Sequence, residues 1–445
     1  MKLYIPNRII VSPTALTYSK TNEIISRLPS DIPIVYSENQ MPKLPSGQSQ
    51  KYLDETLLLC TRSIAAPFNE IFASPGNVAE NIGTMGKIST HCPLGCEFCY
   101  LKVAGRSTPL TRIYVDLDRF REESKKEIFV HTMSLTLWSS ISFYTKKPLL
   151  KVPVGFKDIC DNKIRKAKLT SHKSSRQFLS TNLRSFFIDM NIEIEESRFE
   201  KVLRNLPKYY RENERFPLWI NIGEYTDILG TDHLTGNMND ILGWMEEDKE
   251  LRVKFRTKAP YLKNILKHNN LDRLYVTVDL NTEFAINNYQ TNVFSLSDRF
   301  KAIKKLMSHG AKVKLAIEPI IFYPGFENDY VKLFKKIERE LDLSEMDDIK
   351  IGCVRYKTQL MNHIKRSSPG TNLFETEYPL IPPIKGDKRW RYAEDDRVKI
   401  YSLILNSLKP EHRKLIQLGA EDPEVWKQLN LNPFVVHDES VYQHH

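Results

Sequence analysis

The sequence predicts an α/β protein: a parallel sheet wound into a partial or whole TIM-type barrel, with an N-terminal α+β lobe and a helical insert. Two observations predict it. Short apolar runs alternate with helix-period segments through the second half of the chain, the pattern left by successive βα units. The chain of 445 residues is 41% hydrophobic and 27% charged, the balance of a packed protein rather than a disordered or fibrous one. That length holds one large core or two smaller ones.

Residues 1–85 read as the lobe. Strand-like pieces at Asn7–Ser12 and Thr56–Thr61 flank a Pro/Ser/Gly-rich loop at Met41–Gln48. Residues 86–375 form the barrel core. A first strand near Asn81–Ile88 is followed by strands at Pro217–Glu224, Arg252–Thr257, Asp272–Asp279, Lys312–Glu318 and Asp348–Arg355. Helices are expected at Gly236–Glu246, Pro260–Lys267, Leu296–His309 and Asp329–Leu341. Residues 376–445 complete the chain as a helical tail. Roughly a hundred residues lie between Val115 and Trp219 where a βα connection needs only a handful, so about 122–215 reads as an insert.

The densest chemical signal is the run Ser89-Thr-His-Cys-Pro-Leu-Gly-Cys-Glu-Phe-Cys-Tyr-Leu101. Cys92, Cys96 and Cys99 stand in a C-x3-C-x2-C spacing, enough to hold three irons of a four-iron cluster. The fourth iron keeps an open position, where a small molecule can bind and receive an electron. Gly95 permits the tight turn that brings amides toward the cluster sulfides. Phe98 and Tyr100 bracket the last ligand and are expected to limit water access. The alternative is a structural zinc knuckle with His91 as fourth ligand. Such sites usually come as paired half-sites, and no second C-x2-C is present. In sheets of this kind chemistry collects at the carboxyl ends of the strands, and the cysteine loop follows the first strand.

No apolar run approaches the ~18 residues of a membrane span, and the first residues carry no secretory h-region. No membrane association and a cytoplasmic location are therefore expected. The three remaining cysteines, Cys60, Cys160 and Cys353, are scattered, so no disulfide framework is indicated; reduced thiols and a labile cluster suit a reducing compartment. The net charge of +10 makes a polyanion such as DNA or RNA the first partner to test. Two basic stretches bear on this. Lys163–Arg176 interleaves cations with hydroxyl residues and reads as solvated surface or nucleic-acid grip. Lys385–Tyr392 mixes arginine with aromatics, a mixture that stacks bases and grips phosphates but also pins terminal tails.

The cysteine run resembles the cluster loop of the radical S-adenosylmethionine enzymes. Other segments, in order, look like the spore photoproduct lyase family within that superfamily. They are Cys99-Tyr-Leu-Lys with Thr111–Leu117, Tyr225-Thr-Asp-Ile-Leu-Gly-Thr-Asp-His-Leu-Thr235, Phe255-Arg-Thr-Lys258, the helix start at Ser295, and Ile317-Glu-Pro-Ile-Ile321. The resemblance implies an incomplete (β/α)6 barrel of the radical S-adenosylmethionine kind, a [4Fe-4S] cluster and S-adenosyl-L-methionine as cofactors, and an electron donor such as flavodoxin or ferredoxin. It implies cofactor contacts from Lys258, Thr226 and the backbone near Glu318. Asp279 stands where the family has serine, and Arg355 at a position near the lesion. The implied activity is that of a lyase in DNA repair: a 5′-deoxyadenosyl radical takes hydrogen from a methylene-bridged thymine dimer, a cysteine thiol quenches the product radical, and a tyrosine relay helps regenerate the cofactor. The segment 122–215 has no evident counterpart in the family.

One position departs from the family. Where it has its hydrogen-donating cysteine, this chain has Glu224, and neither a strong carboxyl O–H nor a carboxylate can do a thiol's work. The hydrogen could come instead from Tyr225 or Tyr100 through a phenolic O–H, or from Cys353, which strand alternation sets on the face of Arg355. For Cys353 the plainer reading is a small buried apolar residue. Glu224 could bind a ribose hydroxyl, base edge or amine, act as a base, or pair with Arg256 or Lys258. His233 reads as capping or packing the helix start. Two other functions remain: a radical enzyme acting on a protein, nucleotide or other non-DNA substrate, and a non-catalytic iron–sulfur nucleic-acid-binding protein.

Overall fold

The computed structural model describes residues 3–42, 50–62, 68–70, 84–103, 110–124, 184–185, 187–188, 193–197, 199–200, 218–223, 225–290, 294–383, 389–419 and 421–431. Glu224, Cys160, the Lys163–Arg176 run, most of the expected insert and residues 385–388 of the second basic cluster lie outside the described residues.

In chain order the first strands are β1 (Arg8–Val11), β2 (Ile34–Tyr36), β3 (Thr56–Cys60), β4 (Phe68–Glu70), β5 (Thr84–Gly86), β6 (Ser89–Thr90), β7 (Thr111–Tyr114) and β8 (Leu218–Asn221). They continue as β9 (Leu251–Thr257), β10 (Leu274–Asp279), β11 (Lys312–Ile320), β12 (Ile349–Cys353), β13 (Arg355–Tyr356), β14 (Trp390–Arg391) and β15 (Ile416–Leu418). A five-stranded sheet runs β2-β1-β3-β7-β6, and an eight-stranded sheet runs β15-β12-β11-β10-β9-β8-β5-β4. Every pairing in the larger sheet is parallel except β4 with β5. No ladder joins β15 to β4 among the described residues, so the sheet is open there. The parallel α/β expectation is met, and no closed barrel is detected among the described residues.

The central strands carry one apolar face, buried in a common core with the helices, while Lys254, Thr277, Lys314 and Lys350 are buried on the other. Val253, Phe255, Val276, Val278, Val313, Leu315, Ile317, Ile349 and Ile351 are all buried. Helix α1 (Ser19–Ser26) packs in the core of the smaller sheet, while the core of the larger one takes in α2 (Asn237–Glu247), α3 (Glu283–Tyr289), α4 (Leu296–Ser308), α5 (Phe326–Glu340), α6 (Thr358–Ser367), α7 (Glu394–Ser407) and α8 (Pro423–Gln428). Helix α4 starts where the Ser295 hydroxyl accepts from the Asp298 amide at 3.1 Å. It buries Phe300, Ile303 and Leu306 at helical spacing and stops before Gly310 at φ +83°. Helix α5 follows Gly325 at φ +84°, carries Glu327 and Asp329 in its first turn and Arg339 in its last, and buries Tyr330, Leu333, Phe334 and Ile337.

Three expectations change. The stretch Pro260–Lys267 holds only a one-turn 3-10 helix at Ile265–Lys267. Leu262 and Ile265 are buried three residues apart, which a single turn satisfies, and the Asn264 amide is drawn to the Asp232 carboxylate at 2.9 Å. The two sheets interleave across residue 85: β4 and β5 belong to the large sheet, while β6 and β7 return to the small one. The C-terminal segment is not wholly helical, since β15 adds to β12 in parallel, pairing Ile349, Lys350 and Ile351 with Ile416, Gln417 and Leu418.

Candidate active site

The carboxyl ends of β8 to β12 meet the cysteine loop around one cavity of about 730 Å³, inside the usual range for small-molecule sites. Cys92, Cys96 and Cys99 line it, as do Thr226, Lys258, Asp279, Glu318, Cys353 and Arg355. A strand that ends at the cavity delivers its last inward side chain there, which is why residues distant in sequence converge.

The loop is fixed from several sides. Gly95 adopts φ +68°, the left-handed conformation that glycine takes without strain, and His91 adopts φ +62°. Cys96 forms a backbone β-bridge with Gln290 at the end of α3, and the Glu97 amide donates to the Tyr289 carbonyl at 2.9 Å. The Thr226 hydroxyl donates to the His91 carbonyl at 2.8 Å, so Thr226 holds the loop as well as lining the cavity.

Burial pushes all three loop thiols up, Cys96 to about 11; for Cys92 and Cys96 the charge of a neighbouring thiolate adds to the rise, and for Cys99 that of Asp279 does. Thiols in this setting ionise only when a cationic centre compensates them, as an iron–sulfur core does. Among the described residues no group of three His, Cys, Asp or Glu is gathered tightly enough for a single metal ion. Tyr100 departs from its expected shielding role: it is 51% exposed, while Phe98 packs against the core.

The cavity floor is a chain of alternating charges. Arg256 donates to Asp279 through Nε at 2.7 Å and Nη2 at 2.5 Å, and through Nη1 to Glu318 at 3.1 Å. Lys258 Nζ donates to Asp279 at 3.0 Å, and Lys350 Nζ lies 3.5 Å from Glu318. Burial alone would raise the Asp279 carboxyl, but Arg256 and Lys258 hold it down at about 2. Burial works against the Lys258 ammonium, and Asp279 and Cys96 nevertheless keep it above the ordinary lysine value. Three cations thus face two carboxylates in this chain. Asp227, buried beside Cys92, accepts from the Lys258 amide at 2.5 Å and the Thr257 hydroxyl at 2.7 Å.

Of the proposed hydrogen donors, Tyr100 and Cys353 line the cavity, and Tyr225 is not among its lining residues. The Tyr225 ring lies under Lys87 Nζ at 4.7 Å. Cys353 is buried beside Tyr401 of α7, whose hydroxyl accepts its amide at 2.9 Å. Burial pushes its thiol well up, so it carries its hydrogen. Arg355 stands on β13, which pairs with β14, and Lys102, Lys357 and Arg389 join it along the cavity. His233 packs as expected: its ring Nε2 is 2.6 Å from the Tyr4 carbonyl, with Tyr261 edge-on at 5.7 Å.

Sequence reasoning missed Arg256, Asp227 and Lys350 as parts of the floor, and Gly419. Arg256 could have been found, since it lies two residues before Lys258, which directly follows β9, and extended chain presents both to one face. Gly419 carries no local signal. A side chain there would drive its Cβ into the Glu318 carboxylate, and one at Gly352 would put its Cβ 2.6 Å from it; the two glycines leave the slot that Glu318 fills.

The spore photoproduct lyase family model matches residues 178–404, more than half of the chain. The chain belongs to the spore photoproduct lyase family. The match begins inside the segment read as an insert without counterpart, so residues 178–215 align with the family after all. Spore photoproduct lyase of Geobacillus sp. (strain Y412MC61) is 26% identical over 156 residues, 35% of this chain and 43% of that protein. That of Bacillus subtilis (strain 168) is 20% identical over 263 residues, 59% of this chain and 70% of that protein. The alignment thus spans less than half of the first relative. A solved structure of spore photoproduct lyase complexed with dinucleoside spore photoproduct superposes with TM-score 0.63 at 17% identity, covering 94% of this chain and 99% of that one. Another, of a doubly substituted spore photoproduct lyase with bound AdoMet and dinucleoside spore photoproduct, superposes with TM-score 0.60 at 17% identity, covering 95% and 100%. These shared folds place the family's architecture along nearly the whole chain. Among the described residues no helix is long and apolar enough to cross a membrane.

Proposed function

We propose that the chain is a radical S-adenosylmethionine lyase of the spore photoproduct lyase type, acting on a photolesion in DNA. The observation that carries the reading is that three clustered thiols and a cationic, carboxylate-bearing floor share one cavity at the carboxyl edge of a parallel sheet. Both cofactors fit the residues present. Cys92, Cys96 and Cys99 would hold a [4Fe-4S] cluster, and Lys258, Arg256, Thr226, Asp279 and Glu318 would hold S-adenosylmethionine, whose amino acid end and ribose need both signs of charge. When bound, the pair supplies reductive cleavage of the sulfonium to a 5′-deoxyadenosyl radical, fed by a low-potential carrier such as flavodoxin or ferredoxin. The six successive parallel strands β5 and β8 to β12 support the partial (β/α)6 barrel implied by the family.

The chain's own residues bind, orient and return hydrogen. Lys102, Arg355, Lys357 and Arg389 give the cavity a cationic side suited to backbone phosphates. Cys353, protonated because it is buried, and Tyr100, exposed beside Cys99, line the cavity with a hydrogen to give the product radical in place of the family cysteine, as does the buried Tyr356. A reducing, cytoplasmic setting suits the cluster. The test is anaerobic turnover of dinucleoside spore photoproduct by reconstituted protein, reading release of the two thymidine residues. Release is expected in the wild type, with a sharp loss in either Cys353→Ala or Tyr100→Phe. Vigorous S-adenosylmethionine cleavage with no lesion reversal would move the substrate elsewhere, as the Glu224 position would then suggest.

A further inference from the structure

The cavity wall that carries Cys353, Arg355, Tyr356 and Arg389 is backed by a buried carboxylate that does not itself line the cavity. Glu421 follows β15 in the C-terminal segment, beyond the residues matched by the family model. Its side chain is 3% exposed and lies against Arg397 of α7, itself 2% exposed. Arg397 Nε is 3.1 Å from each Glu421 oxygen, and Arg397 Nη2 is 3.0 Å from Oε1. The Tyr401 hydroxyl donates to Glu421 Oε2 at 2.9 Å. Arg391 of β14 places Nη1 3.7 Å from Glu421 and Nη2 2.7 Å from Asp422.

Each partner leads to the cavity. The single Tyr401 O–H is engaged in donating to Glu421, so its oxygen is left to accept, and it accepts from the Cys353 amide at 2.9 Å. That fixes the end of β12. Arg391 sits opposite Arg355 in the β13–β14 ribbon, with Tyr356 opposite Trp390. Cys353, Arg355, Tyr356 and Arg389 all line the cavity. A buried carboxylate between two guanidinium groups is costly to desolvate and is weak evidence of stability for its own sake; its best use is to fix an arrangement.

We propose that Glu421 is the positioning residue of the substrate-facing wall, setting where Cys353 and the Arg355–Arg389 ribbon stand against the cofactor floor. The proposal rests on the reading that this cavity performs radical chemistry on a nucleic-acid substrate. Arg256 and Lys258 are tied to Asp279 by bonds across β9 and β10 that involve no residue of the wall, so a change at Glu421 reaches the wall before that part of the floor.

The test is Glu421→Gln, which keeps volume and removes charge, beside Glu421→Asp, which keeps charge on a shorter arm. Both are reconstituted anaerobically. Two rates are read: 5′-deoxyadenosine formed with dithionite and S-adenosylmethionine alone, and turnover of dinucleoside spore photoproduct. Circular dichroism and melting temperature are followed on the same samples. The expected result is deoxyadenosine formation within twofold of wild type, with kcat/KM for the dinucleoside at least tenfold lower in Glu421→Gln and partly restored in Glu421→Asp. An equal fall in both rates, or a fall in melting temperature with both rates intact, overturns the proposal, because Glu421 then serves the fold alone. Failure of the parent reading is recognised separately, as absence of deoxyadenosine in the unmutated chain.

Discussion

Arg256 and Asp279 form a two-pronged ion pair, Nε to Oδ2 at 2.7 Å and Nη2 to Oδ1 at 2.5 Å, joining the ends of β9 and β10. The same carboxylate holds Lys258 at 3.0 Å, so one residue seats two of the three floor cations. Because Asp279 is buried and they are only partly so, its loss leaves two cations facing each other.

Asp279→Asn should therefore destabilise the cofactor-free chain by about 2–3 kcal/mol, below the ~3–5 kcal/mol of a fully buried pair broken from one side because Arg256 and Lys258 keep some contact with solvent. The pH dependence has a definite sign. Asp279 titrates at about 2 when folded and near the ordinary ~3.9 when unfolded, so its contribution is full above about pH 5 and fades as pH falls through about 2. Urea unfolding of both proteins should show a constant difference from pH 7 to 5 that shrinks below pH 4. A difference unchanged at pH 3 would mean that the pair is not the source.

Gly419→Ala tests the slot behind Glu318. Its Cβ would overlap a carboxylate oxygen, so either Glu318 or the β15 turn must shift. Overpacking of this kind costs about 1–3 kcal/mol. S-adenosylmethionine affinity, read by equilibrium dialysis against reconstituted protein, should weaken roughly tenfold. Unaltered affinity would place Glu318 outside the cofactor site.

The cationic side of the cavity makes a salt-dependent prediction. Binding of short single-stranded DNA should weaken with salt, and Arg355→Ala and Arg389→Ala should each reduce the slope of log K against log salt by about 0.7, one phosphate apiece. Fluorescence anisotropy across a salt titration measures this. Slopes identical to wild type would remove these arginines from the phosphate path.

The parallel strands were legible because apolar, largely β-branched residues alternate with polar ones along them, and none of the five barrel strands expected after the insert was missed. The 3-10 turn at Ile265–Lys267 was not legible, because three-residue spacing fits one turn of either helix type. The return of β6 and β7 to the lobe sheet depends on long-range pairing that no local window carries. At the site, the three cysteines stood out by their spacing, and the structure sets them around one cavity. Arg256 sat in plain view two residues before Lys258, yet its partners lie 23 and 62 residues away. Gly419 matters only because another strand brings Glu318 against it, a relation absent from its neighbours in sequence.

The central claim is that the thiols of Cys92, Cys96 and Cys99 carry a cluster that breaks S-adenosylmethionine. Anaerobic reconstitution with iron and sulfide, followed by dithionite and S-adenosylmethionine, measures it directly as 5′-deoxyadenosine. The expected result is a brown protein that forms deoxyadenosine, and loss of both colour and product in Cys96→Ala. A colourless protein, or a Cys96→Ala variant that makes as much deoxyadenosine as the wild type, would contradict it.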